Sequence, residues 1–282
     1  MCRSLDASRG VPGTACRVRV GYGAIQPGFG HSSKAPSADR DYLPVSATSA
    51  HPGAERLARA LFDRVPDAAL EEELTGWLAG SPRFRAFVEA HREKVRKKLR
   101  TAADPEARRD VRAEVRVAHL LLADRRIELA FEPFGSAKGG PDFTVTHRGA
   151  RTFNLEVTRL RGDRGPTAYI RPLLAKLRQL PPSAANVVLF AVEGDGADAT
   201  AIASTAQALR TRADAKDEAF FAARGYRDAR EFYQRFLRLG AAIVWSEDAA
   251  SDSRADAWIN PSARIPISQR ALRTCLACLR GT

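Results

Sequence analysis

Sulfur-containing and aromatic residues are scarce in this sequence. It has one methionine and four cysteines in 282 residues, and Phe, Trp and Tyr together make up 7%. Cys2 and Cys16 lie in a polar leader, whereas Cys275 and Cys278 form one C-x-x-C in a C-terminal helical pattern. These spacings do not indicate a disulfide framework. A single C-x-x-C also lacks the second pair or the histidines that a zinc site requires.

Long apolar runs are also missing. No stretch of about 18 apolar residues could form a transmembrane helix, and the first residues lack the apolar segment of a secretory signal. The sequence contains no P-loop, no dinucleotide-binding glycine pattern and no G-x-S-x-G elbow. We therefore expect a cytoplasmic, soluble protein that has no membrane span and does not belong to the commonest nucleotide-binding or serine-hydrolase classes.

Acidic residues are outnumbered by basic ones, 33 to 45, which gives a formal net charge of +12. Such a charge suits a polyanionic partner, and nucleic acid is the first expectation. Charge alone does not separate DNA from RNA or from an anionic membrane surface. Hydrophobic residues make up 44% of the chain, enough to build a core.

Composition and periodicity divide the chain into three parts. Residues 1–50 are rich in Gly, Ser, Pro and Ala and predict a disordered or linker-like tail. Residues 51–103 have helical periodicity and predict a helical extension, in which the basic residues Lys97 and Lys98 either face solvent or contact phosphates. Residues 104–282 alternate helical and strand patterns, which predicts an α/β domain with a mixed sheet.

Two strand patterns face each other across Gly149. Asp142 begins the run DFTVTH, and Glu156 lies in the run RTFNLEVT. A hairpin centred on Gly149 places Asp142 opposite Glu156, with Cβ atoms roughly 5 Å apart. Two carboxylates so close repel each other unless a cation or a shared proton intervenes, and Mg²⁺ prefers oxygen ligands of this kind. The pattern predicts a metal site, with a salt bridge to a neighbouring arginine as the alternative.

Glu114 offers a third carboxylate, on a helical pattern that begins at Asp104. Its neighbours at helical spacing are the apolar residues Val117, Ala118 and Leu121, so its side chain should face inward. An unpaired carboxylate is costly there, and sharing a metal with the hairpin carboxylates would remove that cost. Alternatively, Glu114 lies at the edge of the apolar stripe and reaches solvent or an arginine.

The ordered set resembles the PD-(D/E)XK nuclease superfamily. Pro141-Asp142 corresponds to the PD element, Glu156 begins the E-x-K element, and Glu114 corresponds to the acidic residue on the first core helix. The order helix, strand, hairpin, helix, strand also fits the superfamily core. Within the superfamily, the stretch is most similar to bacterial restriction-endonuclease-like proteins that carry GPDF followed by EVTR.

This resemblance implies an α/β fold of the restriction endonuclease-like type, in which helices flank a mixed β-sheet. It also implies hydrolysis of nucleic acid, DNA rather than RNA, with Mg²⁺ or Mn²⁺ as cofactor. Asp142 and Glu156 would hold the metal, Glu114 would bind it directly or through water, and the Val157 carbonyl would complete the shell.

Thr158 stands where the superfamily has its lysine, which helps to position or activate the attacking water and stabilises charge on the phosphate. Lys176 on the next helix is the first candidate to replace it. Lys138, in the loop before the hairpin, is the second and could also contact nucleic acid. Arg159 and Arg161 could instead supply charge and bind nucleic acid. A further alternative is that the domain has lost cleavage and kept binding.

Overall fold

The computed structural model describes residues 51–133, 140–161, 165–194, 198–247 and 253–281. The predicted tail, residues 1–50, and Lys138 lie outside the described residues. No helix in the described ranges is long and apolar enough to cross a membrane.

The described part of the chain contains ten α-helices. They are α1 (Pro52–Leu61), α2 (Ala68–Gly80), α3 (Pro82–Ala90), α4 (Arg92–Thr101), α5 (Pro105–Leu121), α6 (Ile170–Leu177), α7 (Thr200–Asp214), α8 (Glu218–Ala222), α9 (Ala229–Phe236) and α10 (Gln269–Arg280). The start of α5 shows why the sequence locates such helices. The Asp104 side chain accepts a hydrogen bond from the Ala107 amide, and Pro105 occupies the first turn, where its missing amide hydrogen costs nothing.

Six strands form one mixed sheet in sequence order. They are β1 (Ile127–Phe131), β2 (Phe143–His147), β3 (Phe153–Arg159), β4 (Ala185–Glu193), β5 (Leu239–Glu247) and β6 (Arg254–Ile259). β1, β2 and β3 form an antiparallel meander. β4 runs parallel to both β3 and β5, and β6 closes the far edge antiparallel to β5. The chain is therefore an α/β protein whose mixed sheet is flanked by helices.

The central strand β4 separates two hydrophobic clusters. Successive side chains of a strand point to opposite faces, so Val187 and Leu189 join one cluster while Val188 and Phe190 join the other. The first cluster includes side chains from α1–α5 and α10, and the second includes side chains from α6–α9. The predicted helical extension, residues 51–103, thus shares its core with the sheet.

Two stretches with helical periodicity are each divided into two helices in the structure. The stretch from Pro82 to Thr101 breaks at His91 into α3 and α4. The stretch from Lys216 to Leu239 breaks into α8 and α9 around Gly225, which has a positive φ of 78°.

Candidate functional site

The β2–β3 hairpin has the register predicted from Gly149. Phe143 pairs with Leu155, so the preceding residue, Asp142, lies beside Glu156. Gly149 adopts a φ of +78° in the turn, a conformation that glycine takes without steric cost. Asp142 Oδ2 also accepts a 2.8 Å hydrogen bond from the Val157 amide, which fixes the orientation of this carboxylate.

Glu156 projects from β3 toward α6. It pairs in register with Val188, whose side chain belongs to the cluster that contains α6. Its side chain is only 4% exposed, and Oε1 forms an ion pair with the ammonium of Lys176. The second oxygen, Oε2, is buried and has no hydrogen-bond partner among the described residues. Burial of a carboxylate oxygen without a hydrogen-bond partner costs free energy, and a bound ligand or a proton on this oxygen would remove that cost.

Lys98 enters the same site from α4. Its ammonium pairs with Glu114 Oε2 on α5, lies 3.3 Å from Asp142 Oδ1 and lies 3.2 Å from Glu132 Oε1. It also lies 5.1 Å from the centre of the Phe131 ring. The basic pattern of this helix predicts that Lys98 either faces solvent or contacts phosphates, whereas the structure directs its ammonium to three carboxylates. Lys98 instead lies three residues after the buried Val95 and reaches inward.

Glu132 is a site residue that the sequence analysis missed. It follows β1 directly, and its amide donates a 2.8 Å hydrogen bond to the Asp142 carbonyl. Its φ of +43° is uncommon for a residue with a side chain. The only sequence signal was a glutamate between the end of a strand and Pro133. Together with Glu114, Asp142 and Glu156 it forms what we call the carboxylate cluster.

The electrostatics of the carboxylate cluster favour protonated glutamates. Burial, followed by the charge of Asp142, raises the pKa of Glu114 to about 8. The same two causes raise the pKa of Glu156 to about 7. The paired lysines oppose these shifts without cancelling them, because the cost of burying several carboxylates together is larger. Burial of several carboxylates together thus favours the retention of a proton within the cluster, shared between Glu114 and Glu156.

The two lysines remain charged. Burial opposes the charge on Lys98, but Glu114 and Asp142 outweigh it and raise the pKa of the ammonium. The pKa of Lys176 also rises, because the attraction of Glu156 exceeds the effect of burial. Two fixed ammonium groups thus serve as the counter-ions of the carboxylate cluster.

A cavity of about 310 Å³ opens beside the cluster. It is lined by Asp110, Glu114, Val157, Thr158, Arg159, Arg161 and Lys176. Thr158 and Lys176 therefore face the same space.

The residues predicted to contact nucleic acid differ from one another in exposure and in their ion-pair partners. Arg159 is 8% exposed and held by Glu106, Asp110 and Glu193, at 3.2, 3.2 and 2.6 Å. Such a guanidinium orders the loop around it more than it attracts a new anion. Arg161 is half exposed and pairs with Asp110 at 2.5 Å. Lys97 is exposed on α4, as a phosphate contact requires.

The donor set of the carboxylate cluster fits a hard divalent cation, since Mg²⁺ prefers carboxylate and carbonyl oxygens. Glu156 Oε2, buried and without a partner, is one such donor. In this structure, however, the four carboxylates are paired with Lys98 and Lys176 rather than with a metal ion. Within the ranges that the structure describes, no group of three or more His, Cys, Asp or Glu side chains is arranged to hold a metal ion. Metal binding would therefore require the ammonium of Lys98 to move away from Asp142.

Comparison of the chain with protein-family models, with curated proteins and with solved structures gives no match.

Proposed function

We propose that this chain is a metal-dependent nuclease of the PD-(D/E)XK type that hydrolyses phosphodiester bonds in DNA. The observation that carries the proposal is the ion pair of Lys176 with Glu156, in a cavity that Thr158 also lines. A nuclease of this type needs an amine beside its metal-binding carboxylates. Lys176 can meet that need although Thr158 replaces the motif lysine. A cytoplasmic location is part of the same proposal.

The topology supports a restriction endonuclease-like fold as part of this proposal. The element order α5, β1, β2, β3, α6, β4 is the order helix, strand, hairpin, helix, strand that the resemblance implies. The hairpin register brings the PD carboxylate, Asp142, beside the E-x-K carboxylate, Glu156. Glu114 on α5 shares Lys98 with Asp142, which brings the third acidic residue to the same site.

In this mechanism Asp142 and Glu156 would hold the metal, Glu114 would bind it directly or through water, and the Val157 carbonyl would supply a further ligand. The bound metal would lower the pKa of a water molecule and stabilise the charge on the scissile phosphate. The Val157 amide holds Oδ2 of Asp142, and Oδ1 would become available as a ligand once the Lys98 ammonium, 3.3 Å away, moves.

Lys176 and Arg161 have separate roles in the proposed reaction. Lys176 positions the attacking water and stabilises the negative charge that develops on the phosphate. Arg161, half exposed at the mouth of the cavity, binds a neighbouring phosphate. DNA is the proposed substrate because the family resemblance implies it and the net charge of +12 favours a polyanion.

A second candidate is a nucleic-acid-binding relative that has lost catalysis. The observation in its favour is that Lys98 contacts three of the four carboxylates and Lys176 contacts the fourth. A cluster neutralised in this way can be purely structural, because paired buried charges need no metal. The two candidates differ in whether the cluster binds Mg²⁺ or Mn²⁺ at all.

Metal titration combined with a cleavage assay tests the proposal. Plasmid and single-stranded DNA are incubated with Mg²⁺ or Mn²⁺ and either the wild type or Asp142→Ala, and the same proteins are titrated with Mn²⁺ in a calorimeter. We expect cleavage and metal binding by the wild type, and loss of both in Asp142→Ala and in Glu156→Ala. A folded wild type that binds DNA but neither metal would refute the nuclease and support the second candidate.

A further inference from the structure

A groove of about 1,020 Å³ lies on the side of α6 away from the carboxylate cluster. Four arginines line it, and none of its lining residues in the described ranges is acidic. Arg171 comes from α6, Arg178 directly follows α6, Arg212 comes from α7, and Arg224 follows α8. The groove therefore presents concentrated positive charge.

The arginines of this groove have fewer carboxylate partners than Arg159 has. Arg212 pairs with Asp217 at 2.6 Å. Within the described ranges, Arg171, Arg178 and Arg224 take part in no ion pair with a carboxylate, and all three are exposed. Arginines already neutralised by the protein contribute little to anion binding, whereas these three keep their full charge for a ligand.

Two of the arginines lie over the ring of Phe220. The guanidinium carbon of Arg224 is 3.6 Å from the ring centre and that of Arg212 is 4.4 Å away. Arg224 is also held by a 3.0 Å hydrogen bond from Nη1 to the Phe220 carbonyl. Both guanidinium planes are thus ordered before any ligand arrives, which reduces the entropy lost on binding. A planar guanidinium can stack on a nucleobase, which a lysine ammonium cannot do.

Gly225 allows Arg178 to approach the same stack. The φ of +78° favours glycine at this position, and the absence of a side chain leaves room for the Arg178 guanidinium. Arg178 Nη1 lies 3.5 Å from the Gly225 carbonyl. Arg178 therefore lies beside the turn between α8 and α9, next to Arg224.

The groove and the carboxylate cavity are related through α6. Arg171, Leu174, Ala175 and Arg178 form one stripe at helical spacing and line the groove, whereas Lys176 points to Glu156. A helix with its side chains is about 10 Å across. A chain lying in the groove would therefore pass about one helix diameter from the cavity.

We propose that this groove binds a single strand of nucleic acid. Arg171 and Arg178 contact successive phosphates, and an unstacked base lies against the stack of Arg212, Phe220 and Arg224. A single strand is favoured over a duplex because its bases can leave the stack and meet a planar cation or a ring. This inference goes beyond the nuclease, because such binding requires neither a metal nor hydrolysis.

The test measures the affinity of a fluorescently labelled oligodeoxynucleotide for the full chain by anisotropy, in EDTA and at several salt concentrations. The double variant Arg171→Ala/Arg178→Ala should bind at least tenfold more weakly. Its slope of log affinity against log salt should fall in magnitude by about 1.4, because each phosphate contact on a single strand contributes about 0.7. The matched control is Arg270→Ala/Arg273→Ala, which removes two exposed charges from α10 on the other face of the sheet and should have no such effect.

A second variant separates stacking from charge. Arg224→Lys keeps the positive charge but loses the planar group, and we expect it to weaken binding about tenfold without changing the salt slope. Unchanged affinity in the double variant would overturn the proposal. Equal competition by poly-glutamate, with no effect of Arg224→Lys, would also overturn it and indicate an acidic polypeptide instead. Since EDTA removes metal, these results do not depend on whether the chain cleaves DNA.

Discussion

The ammonium of Lys176 on α6 pairs with the carboxylate of Glu156 on β3, beside the Thr158 side chain. The helix that follows the hairpin thus supplies the amine that the hairpin itself lacks. Because Lys176 and Glu156 lie on different elements, their ion pair depends on how α6 packs on the sheet. The function proposed for the cavity rests on that packing.

Lys98 should stabilise the fold as the counter-ion of the carboxylate cluster. Its removal in Lys98→Met leaves Glu114, Glu132 and Asp142 without their shared cation, and losing one partner of a buried ion pair costs about 3 kcal/mol or more. Urea denaturation at pH 7 without metal measures this loss of unfolding free energy. The control is Lys97→Met, the exposed neighbour on the same helix, for which we expect a change within about 0.5 kcal/mol. Equal stability of the two variants would mean that Lys98 is not a counter-ion.

Stability without metal should fall as the pH rises through the titration range of Glu114. Its pKa is raised to about 8 from an ordinary value of 4.5, by burial and then by Asp142. Below pH 4.5 the carboxyl is protonated in both states, and between pH 4.5 and 8 only the folded state keeps the proton. Protonation therefore stabilises the folded state, and this contribution is lost as the pH rises toward 8, by at most about 1.4 kcal/mol per pH unit.

The variant Glu114→Gln checks this pH dependence, because its amide cannot ionise. We expect the difference in unfolding free energy, Glu114→Gln minus wild type, to increase from pH 5 to pH 8.5. A difference that stays constant over this range would contradict a raised pKa at Glu114.

Metal affinity should rise with pH for the same reason. A metal ion binds carboxylates rather than carboxylic acids, so Glu156 and Glu114, with pKa values of about 7 and 8, must release protons first. Titration with Mn²⁺ in buffers of different ionisation enthalpy should show proton release at pH 6.5 that disappears near pH 9. Asp142→Asn, which removes a proposed ligand, should abolish the heat of binding. Binding without proton release at pH 6.5 would show that the metal occupies another place.

The hairpin was predictable because two local rules agree there. Gly149 marks the turn, and alternation in the two flanking runs fixes which residues face each other. Lys176 was named as the first candidate amine because it lies on the helix that follows the hairpin, and the structure pairs it with Glu156. In both cases the interacting residues belong to elements that follow one another along the chain.

The contacts of Lys98 were not predicted and Glu132 was missed, because both positions depend on contacts distant in sequence. Six basic residues from Arg92 to Arg100 resemble a solvated surface, yet Lys98, beside the buried Val95, contacts Glu114 on α5. Glu132 reaches the site because β1 pairs with β2 and brings its end beside Asp142. Neither contact has a signal within a short window of sequence.

The partners in a buried polar network were also not predictable from the sequence. The Asn154 side chain donates a 3.0 Å hydrogen bond to Asn186, which donates to the carbonyls of Pro181, Ala184 and Arg238, each at 2.9 Å. This network links β3 to β4 and to the two loops that precede β4 and β5. Two asparagines in apolar strands predict that they need partners, but the sequence does not say which carbonyls supply them.

The most direct test of the central claim moves the amine from α6 back to β3. DNA cleavage with Mn²⁺ is measured for the wild type, for Lys176→Met and for Lys176→Met combined with Thr158→Lys. We predict that Lys176→Met lowers the rate about a hundredfold or more and that Thr158→Lys restores at least a tenth of it, because both side chains reach the same cavity. A wild type that binds Mn²⁺ and DNA without cutting, or a Lys176→Met variant that cuts at the wild-type rate, would contradict the assignment of Lys176.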